Sequence, residues 1–128
     1  MYTLSVSRSF IAQHYLTVPD AGPENEWHSH HFQLDLVLEG STLNEHGYLI
    51  DIVDVEQALD TQLDRYRDAT LNDLPEFEGL NPSIEHFSRI MCTSIRDHIN
   101  TSNINTITAK VWEDETSWAS YQCDDLST

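Results

Sequence analysis

The sequence contains little cysteine. Cys92 and Cys123 are the only two in 128 residues, and neither stands in a Cys-x-x-Cys pair or at another metal-ligand spacing. Disulfides are rare in reducing compartments. We therefore interpret both cysteines as unpaired thiols and expect no thiolate metal site.

Long apolar runs are also missing. No window approaches the roughly 18 consecutive apolar residues that a membrane-spanning helix needs. The first ten residues, MYTLSVSRSF, lack the basic start and apolar core of a signal peptide. Since 39% of the residues are hydrophobic, the composition is that of a globular protein. We expect a cytoplasmic protein that does not bind membranes.

Positive charge is scarce. Six basic residues stand against 22 acidic ones, the formal net charge is −16, and Lys110 is the only lysine. Such a surface repels the phosphates of nucleic acids and of anionic membranes, which argues against a nucleic-acid partner. Because the acidic residues are spread along the chain, they indicate a solvated surface. Adaptation to high salt, where counterions screen the repulsion, and simple acidity both remain open.

The length of 128 residues allows one hydrophobic core but not two independent ones. No internal repeat, low-complexity tract or Pro/Gly/Ser-rich linker interrupts the chain. We predict a single domain that comprises residues 1–128.

Alternation of apolar and polar residues predicts strands in the first half of the chain. The alternation runs over residues 2–14, with Arg8 as the one exception, and again over residues 28–38. Two prolines and a glycine between them, in residues 15–27, are typical of a loop. After a second loop, residues 47–51 (GYLID) are predicted to be a short extended segment.

Apolar residues at intervals of three and four predict helices in the second half. The first such stripe runs over residues 52–66, with Asp51 or Asp54 as the N-cap, and the second begins at Pro82 and Ser83. Alternation then returns in residues 107–111 and 118–123, on either side of an acidic turn. The predicted order is β-β-α-α-β-β, which is an α+β domain.

Three histidines form the sharpest chemical pattern. His28 and His30 are two apart on a predicted strand, so their side chains project from the same face. His14 ends the preceding strand, and an antiparallel pairing across the loop brings it to His28. Three imidazoles leave the fourth position of a zinc ion open, which is typical of catalytic sites. The alternative is a polar strand edge, since His31 shows that histidine is not scarce.

These residues resemble the family of 6-pyruvoyltetrahydropterin synthase and 6-carboxytetrahydropterin synthase, whose domain is called the tunnelling fold. The resemblance covers nearly the whole chain as six short segments in the family's order. The segments are FIAQH at 10–14, HSHHF at 28–32, GYLID at 47–51, LNDLP at 71–75, NPSIE at 81–85 and VWE at 111–113.

The resemblance implies a four-stranded antiparallel sheet with two helices on one face. It also implies a Zn²⁺ ion on His14, His28 and His30 that polarises the side-chain hydroxyls of a dihydropterin, the small-molecule substrate of a lyase. Family members assemble as hexamers of two stacked trimers, and the open strand edges expected here agree with a homohexamer.

Two residues are implied to bind the substrate. Glu113 is similar to the glutamate that holds the guanidine-like edge of the pterin by a bidentate pair. Glu115 is an alternative, but Glu113 keeps the family's distance to Tyr121. Ser83 lies in the segment that resembles the family's helix start and is the second predicted contact. Without the resemblance, either glutamate is interpreted as a solvated turn residue.

The resemblance fails at the residues that move protons. Well-known members have a cysteine where this chain has Glu24, and a carboxylate of raised pKa is a substitute base. Family members with a glutamate near this place convert dihydroneopterin triphosphate to 6-hydroxymethyldihydropterin. Glu26 is near enough to serve instead, and an ordinary loop carboxylate is the rival interpretation of both.

The family's Asp-His pair aligns with Arg67 and Asp68, so the histidine is missing. Asp68 is the candidate substitute, although a carboxyl group with a pKa of roughly 4 is a poor acid at neutral pH. We predict a zinc-dependent enzyme that acts on the side chain of dihydroneopterin triphosphate or a related dihydropterin, with an atypical proton relay.

Two other functions are considered. One is a non-catalytic zinc- and pterin-binding module of the same fold. The other is a small cupin, because Gly22 precedes His28-Ser29-His30 by the spacing of a cupin metal motif. That motif requires a glutamate where this chain has Asp35, and two helices fit a β-barrel badly.

Overall fold

The helices and strands follow the predicted order β-β-α-α-β-β in the computed structural model, which describes residues 1–124 and 126. Asp125, Ser127 and Thr128, which the predicted domain 1–128 includes, lie outside the described residues. The elements are β1 (Tyr2–His14), β2 (His28–Gly40), α1 (Ile52–Asp64), α2 (Ile84–Arg96), β3 (Thr106–Trp112) and β4 (Trp118–Cys123).

The four strands form one antiparallel sheet in the order β1-β2-β3-β4. β1 pairs with β2 along its whole length, from Tyr2 opposite Gly40 to His14 opposite His28. β3 pairs only with residues 33–39 of β2. Residues 28–32 therefore extend beyond β3, and this end of β2 lies beside the turn that joins β3 to β4.

One face of the sheet is buried under the two helices. α2 packs on β3 and β4, while α1 packs on β1 and on α2. The alternation in the sequence predicts which residues face the helices, because successive side chains on a strand point to opposite faces. The fully buried sheet residues on this face are Ala12, Phe32, Leu34, Leu36, Leu38, Ile107, Ala109 and Val111.

Arg8, the exception in the alternation of β1, also faces the helices. Its Nη2 lies 2.8 Å from Glu56 Oε2 and its Nε lies 2.9 Å from Asp60 Oδ1, both on α1. Because the guanidinium has two carboxylate partners, a charged residue is tolerated in a row of apolar ones.

The helices begin at capping residues. The Asp51 side chain accepts a hydrogen bond from the Val53 backbone N–H (2.9 Å), which decides between the two predicted caps of α1. Gly47 to Asp51, predicted as an extended segment, forms no strand in the described chain. Leu49 and Ile50 are buried there instead.

The opposite face of the sheet is polar and partly exposed. Asp35 lies on it and accepts hydrogen bonds from Ser7, Gln33 and Trp112 at 2.7, 2.9 and 2.8 Å. Burial alone would raise the pKa of Asp35, but these bonds hold it below its usual range. Since Asp35 faces away from the histidines, it is not the glutamate equivalent that a cupin site requires.

A charged cluster links α1 to the connection that follows it. Arg65 Nε and Nη2 each lie 2.6 Å from a Glu76 oxygen, and the buried Tyr66 hydroxyl donates to Glu76 Oε2 at 2.9 Å. The hydrogen bonds from Arg65 lower the pKa of Glu76 to about 2 from an ordinary 4.5. Glu76 therefore contributes stability above about pH 4.5, and this contribution is lost as the pH falls through about 2.

We expect Glu76→Gln to lower the free energy of unfolding by about 1–2 kcal/mol at pH 7. The full pKa shift implies more, but the Arg65 side chain is 47% exposed and solvent screens the pair. Urea unfolding of both proteins at pH 7, 5 and 3 measures the difference, which should shrink toward acid pH. Glu78→Gln, an exposed neighbour, is the control. A difference that does not change with pH would contradict the assignment.

Candidate metal centre

Three histidine rings meet where β1 ends and β2 begins. The centroid of the His14 ring lies 4.6 Å from that of His28 and 5.1 Å from that of His30, and the latter two are 4.8 Å apart. The register explains this, because His14 lies directly opposite His28 and His30 is two residues further along the same face.

Hydrogen bonds from the ring nitrogens orient two of the three imidazoles, those of His14 and His28. His14 Nδ1 lies 3.0 Å from the Pro82 carbonyl oxygen, and His28 Nδ1 lies 2.6 Å from that of Glu26. A carbonyl only accepts, so both Nδ1 atoms carry a proton, and in the neutral ring Nε2 is then the atom with a free lone pair. Such a bond from the second nitrogen is the usual support of a metal-ligating histidine.

The three Nε2 atoms are buried and form no aligned hydrogen bond in the described part of the chain, although carboxylate oxygens lie 3.1 Å from that of His28 and 2.9 Å from that of His30. Orphaned buried nitrogens are costly, and three that face one another call for a shared partner. A metal ion is such a partner, because it accepts all three lone pairs. The donor set suits zinc, for which neutral imidazole is a preferred ligand.

Burial and aromatic packing fix the rings further. His14 is 1% exposed, and burial lowers its pKa to about 4, so its ring is neutral at pH 7, as a metal ligand must be. The Phe32 ring lies beneath the cluster, with its centroid 5.8 Å from that of His14 and 5.6 Å from that of His30.

Glu24 lies at the open side of the histidine cluster. Its Oε2 is 3.1 Å from His28 Nε2, and one ligand atom from each of His14, Glu24, His28 and His30 lies within 4.8 Å of the others. This carboxylate oxygen is close to the ring nitrogen but forms no aligned hydrogen bond with it. Among the described residues, Glu26 offers the cluster no carboxylate, only its carbonyl to His28.

The loop that carries Glu24 is held by side-chain amides. Asn25 donates to the carbonyls of Leu16 and Val18 and accepts from the Ala21 N–H. A short 3-10 helix, Gly22–Asn25, turns the chain here. The only sequence signal for the role of Asn25 is its position in a loop rich in turn residues.

Two further asparagines connect the same loop to the second half of the chain. Asn72 exchanges hydrogen bonds with the backbone of Tyr15 at 3.0 and 2.9 Å. The Asn81 side chain accepts from the Thr17 N–H at 2.8 Å. Both asparagines lie in segments on which the family resemblance rests, LNDLP and NPSIE. The resemblance did not indicate that their side chains hold the loop of residues 15–27.

Glu113 approaches the cluster from the turn after β3. Its Oε1 lies 2.9 Å from His30 Nε2, and its side chain is 26% exposed. The residue also borders a groove of about 630 Å³ that lies mainly on the opposite, polar face of the sheet, beside His31, Gln33 and Trp112. Of the two glutamates predicted as alternatives, Glu113 is therefore the one in contact with a histidine of the cluster.

Ser83 lies beside the cluster and already has a structural role. Its hydroxyl oxygen accepts from the His86 N–H at 3.2 Å and caps α2. The preceding residue, Pro82, supplies the carbonyl that orients His14. The start of α2 and the histidine cluster are thus joined through two neighbouring residues.

Asp68 is not brought to the cluster within the described residues. It is exposed, has a left-handed backbone (φ 55°), and donates its N–H to the Ile11 carbonyl at 2.7 Å. The proton-handling role of Asp68 stays a prediction.

The arrangement described above is an α+β domain with a candidate metal centre at one end of its sheet. A sequence model of the 6-pyruvoyl tetrahydropterin synthase family matches residues 3–124. The chain belongs to this family, which confirms the resemblance and excludes the cupin alternative. A search among curated proteins finds no match by sequence.

Solved structures of similar proteins confirm the fold. The 6-pyruvoyl tetrahydropterin synthase of Caenorhabditis elegans superposes with a TM-score of 0.82 at 21% identity and covers 95% of each chain. The Plasmodium falciparum synthase superposes with a TM-score of 0.78 at 15% identity, and the match covers 96% of this chain and 98% of that one. A variant of the Plasmodium vivax synthase, in which a catalytic glutamate is replaced by alanine, superposes with a TM-score of 0.79 at 14% identity. The match covers 96% of this chain and 98% of that one.

No helix in the described residues is both long and apolar enough to span a bilayer.

Proposed function

We propose that this member of a pterin-processing family is a zinc-dependent lyase that acts on the side chain of dihydroneopterin triphosphate or a related dihydropterin. The observation that carries the proposal is the set of three buried Nε2 atoms that converge at one end of the sheet without an aligned hydrogen bond. His14, His28 and His30 would hold the ion. Bound there, zinc supplies a Lewis acid that polarises the hydroxyls of the substrate side chain.

Glu113 is proposed to bind the pterin. A carboxylate matches the guanidine-like edge of a pterin, to which it pairs through two charge-assisted hydrogen bonds. Glu113 Oε1 lies 2.9 Å from His30 Nε2, so a ligand held by Glu113 would be beside the metal site. Ser83 at the start of α2 is proposed as a second contact.

Glu24 is proposed as the group that moves a proton at the substrate carbon. Of the three candidates, Glu24, Glu26 and Asp68, its carboxylate lies nearest to the histidines. A glutamate is described as a catalytic residue in the P. vivax synthase, which has the same fold. This supports a glutamate in place of the usual cysteine.

We propose that residues 1–128 are a single domain and assemble as a homohexamer of two trimers in the cytoplasm. The sheet supports the assembly, because among the described residues β4 has no strand on its outer edge and β1 has there only a short contact of residues 11–13 with residues 68–70. An unpaired edge is a template for a strand from another subunit.

Incubation with 7,8-dihydroneopterin triphosphate should yield a pterin with a shortened or altered side chain, identified by mass spectrometry. At saturating zinc, Glu24→Ala should lower the rate about 10²- to 10⁴-fold, since this is the usual contribution of a positioned acid or base. Glu45→Ala, an exposed carboxylate on another loop, is the control. Equal rates for wild type and Glu24→Ala would contradict the role of Glu24.

The alternative function is a non-catalytic zinc- and pterin-binding module. The absence of a histidine at Arg67–Asp68 and the exposed position of Asp68 favour it. Tight binding of the dihydropterin without any conversion by zinc-loaded protein would support this alternative and overturn the lyase.

A further inference from the structure

We propose that Glu24 is a fourth metal ligand that closes the site in the absence of substrate. The inference rests on the trihistidine metal site of the proposed function and goes beyond it, because three imidazoles alone leave a position open. It assigns a second role to a residue otherwise considered only as a base.

The distances fit four ligands around one ion. The four candidate ligand atoms all lie within 4.8 Å of one another, and Glu24 Oε2 is 3.1 Å from His28 Nε2. In a tetrahedral zinc site with bonds of about 2.0–2.1 Å, neighbouring ligand atoms are about 3.3 Å apart. Relative to His28, the carboxylate is thus already near the separation that a shared ion requires.

Charge favours a carboxylate in the fourth position. Three neutral imidazoles leave the two positive charges of the ion uncompensated, and one carboxylate cancels half of them in a partly buried place. Glu113 approaches a different ring, His30, and does not belong to the group of mutually close ligand atoms among the described residues. Glu24 is therefore favoured over Glu113.

The position of Glu24 also allows its carboxylate to move away from the metal site. Its side chain is 47% exposed and lies on a short 3-10 helix rather than on the sheet. The flanking loop is held by Asn25, so the backbone stays while the side chain changes rotamer. A substrate hydroxyl would then be able to take the vacated position, and the released Glu24 carboxylate would remain next to the substrate.

Cobalt-substituted protein and azide test the inference without any measurement of turnover. Cobalt(II) occupies the same kind of site as zinc and has a visible spectrum that depends on its ligands. With the fourth position closed, azide should shift the wild-type spectrum only at a much higher concentration than in Glu24→Ala. In Glu24→Ala, the position is open, so azide should shift the spectrum. Competition with a chelator should show zinc bound about 10- to 100-fold more weakly in Glu24→Ala.

Glu26→Ala is the matched control, because it removes one negative charge from the same loop and keeps the backbone carbonyl that accepts from His28. It should behave as wild type in both measurements. Glu24→Asp, whose carboxylate is one methylene shorter, should admit azide as Glu24→Ala does.

Two outcomes would overturn the inference, and they differ in what else they affect. If azide shifts the wild-type spectrum as readily as that of Glu24→Ala, the histidines hold the metal but Glu24 is no ligand. If wild type binds neither cobalt nor zinc, the metal site of the proposed function fails together with this inference.

Discussion

Zinc content should fall from about one ion per chain in the wild type to a small fraction of that in His14→Ala, and dihydropterin conversion should be lost with it. His14 supplies one of three buried Nε2 atoms that form no aligned hydrogen bond, and its ring is held by the Pro82 carbonyl and Phe32. Two remaining imidazoles form a much weaker site. Elemental analysis after dialysis against metal-free buffer measures the loss.

His31→Ala is the matched control for this prediction. His31 is a histidine on the same strand, but it is exposed and faces the other side of the sheet, so zinc should be retained. Circular dichroism of both variants checks that the fold persists. Stoichiometric zinc that remained in His14→Ala and in His28→Ala would rule out the trihistidine site.

The meeting of the three histidines was predictable because it follows from local rules. Alternation along a strand places His28 and His30 on one face, and the pairing of adjacent strands places His14 opposite His28. Each rule involves neighbours in sequence or in one hairpin. The α+β order was predictable for the same reason, since each element carries its own hydrophobic period.

The exception at Arg8 was not explained by the sequence, because its partners are far away. Glu56 and Asp60 lie on α1, 48 and 52 residues further along the chain. No periodic pattern links such residues. Only the packing of α1 on β1 brings these charges together.

The position of Glu24 was predicted only as a match to the family's cysteine. Its distance to His28 depends on the path of residues 15–27, which Asn25, Asn72 and Asn81 hold through hydrogen bonds to backbone atoms. Such side-chain-to-backbone bonds have no period and span up to 64 residues. The position of Glu24 beside the histidines thus depends on tertiary contacts.

Phe87→Ala should cause the largest loss of stability, about 3–5 kcal/mol in the free energy of unfolding. Phe87 is fully buried on α2, and its ring centroid lies 5.2–5.9 Å from those of four other aromatic residues. Those residues are Phe10, Phe32, Tyr66 and Phe77. Alanine leaves a cavity that this rigid set of rings fills poorly, and the loss is a large part of a typical total of about 5–15 kcal/mol.

The effect of Phe87→Ala should also reach the metal site. Phe32 packs on Phe87 with its ring centroid 5.5 Å away and on His14 and His30 from the other side. If Phe32 moves into the cavity, the rings above it lose their support, and zinc affinity should fall even in the fraction that stays folded. Urea unfolding and chelator competition measure the two effects separately.

Val53→Ala is the control for stability, because this α1 residue is 55% exposed and its replacement should change the free energy of unfolding by less than about 0.5 kcal/mol. Phe87→Leu keeps most of the volume and should cost less than Phe87→Ala while it restores zinc affinity. A Phe87→Ala protein that unfolds like Val53→Ala would show that the aromatic cluster does not hold the sheet to α2. If Phe87→Ala loses stability as expected but binds zinc as tightly as the wild type, β1 and β2 alone orient the histidines.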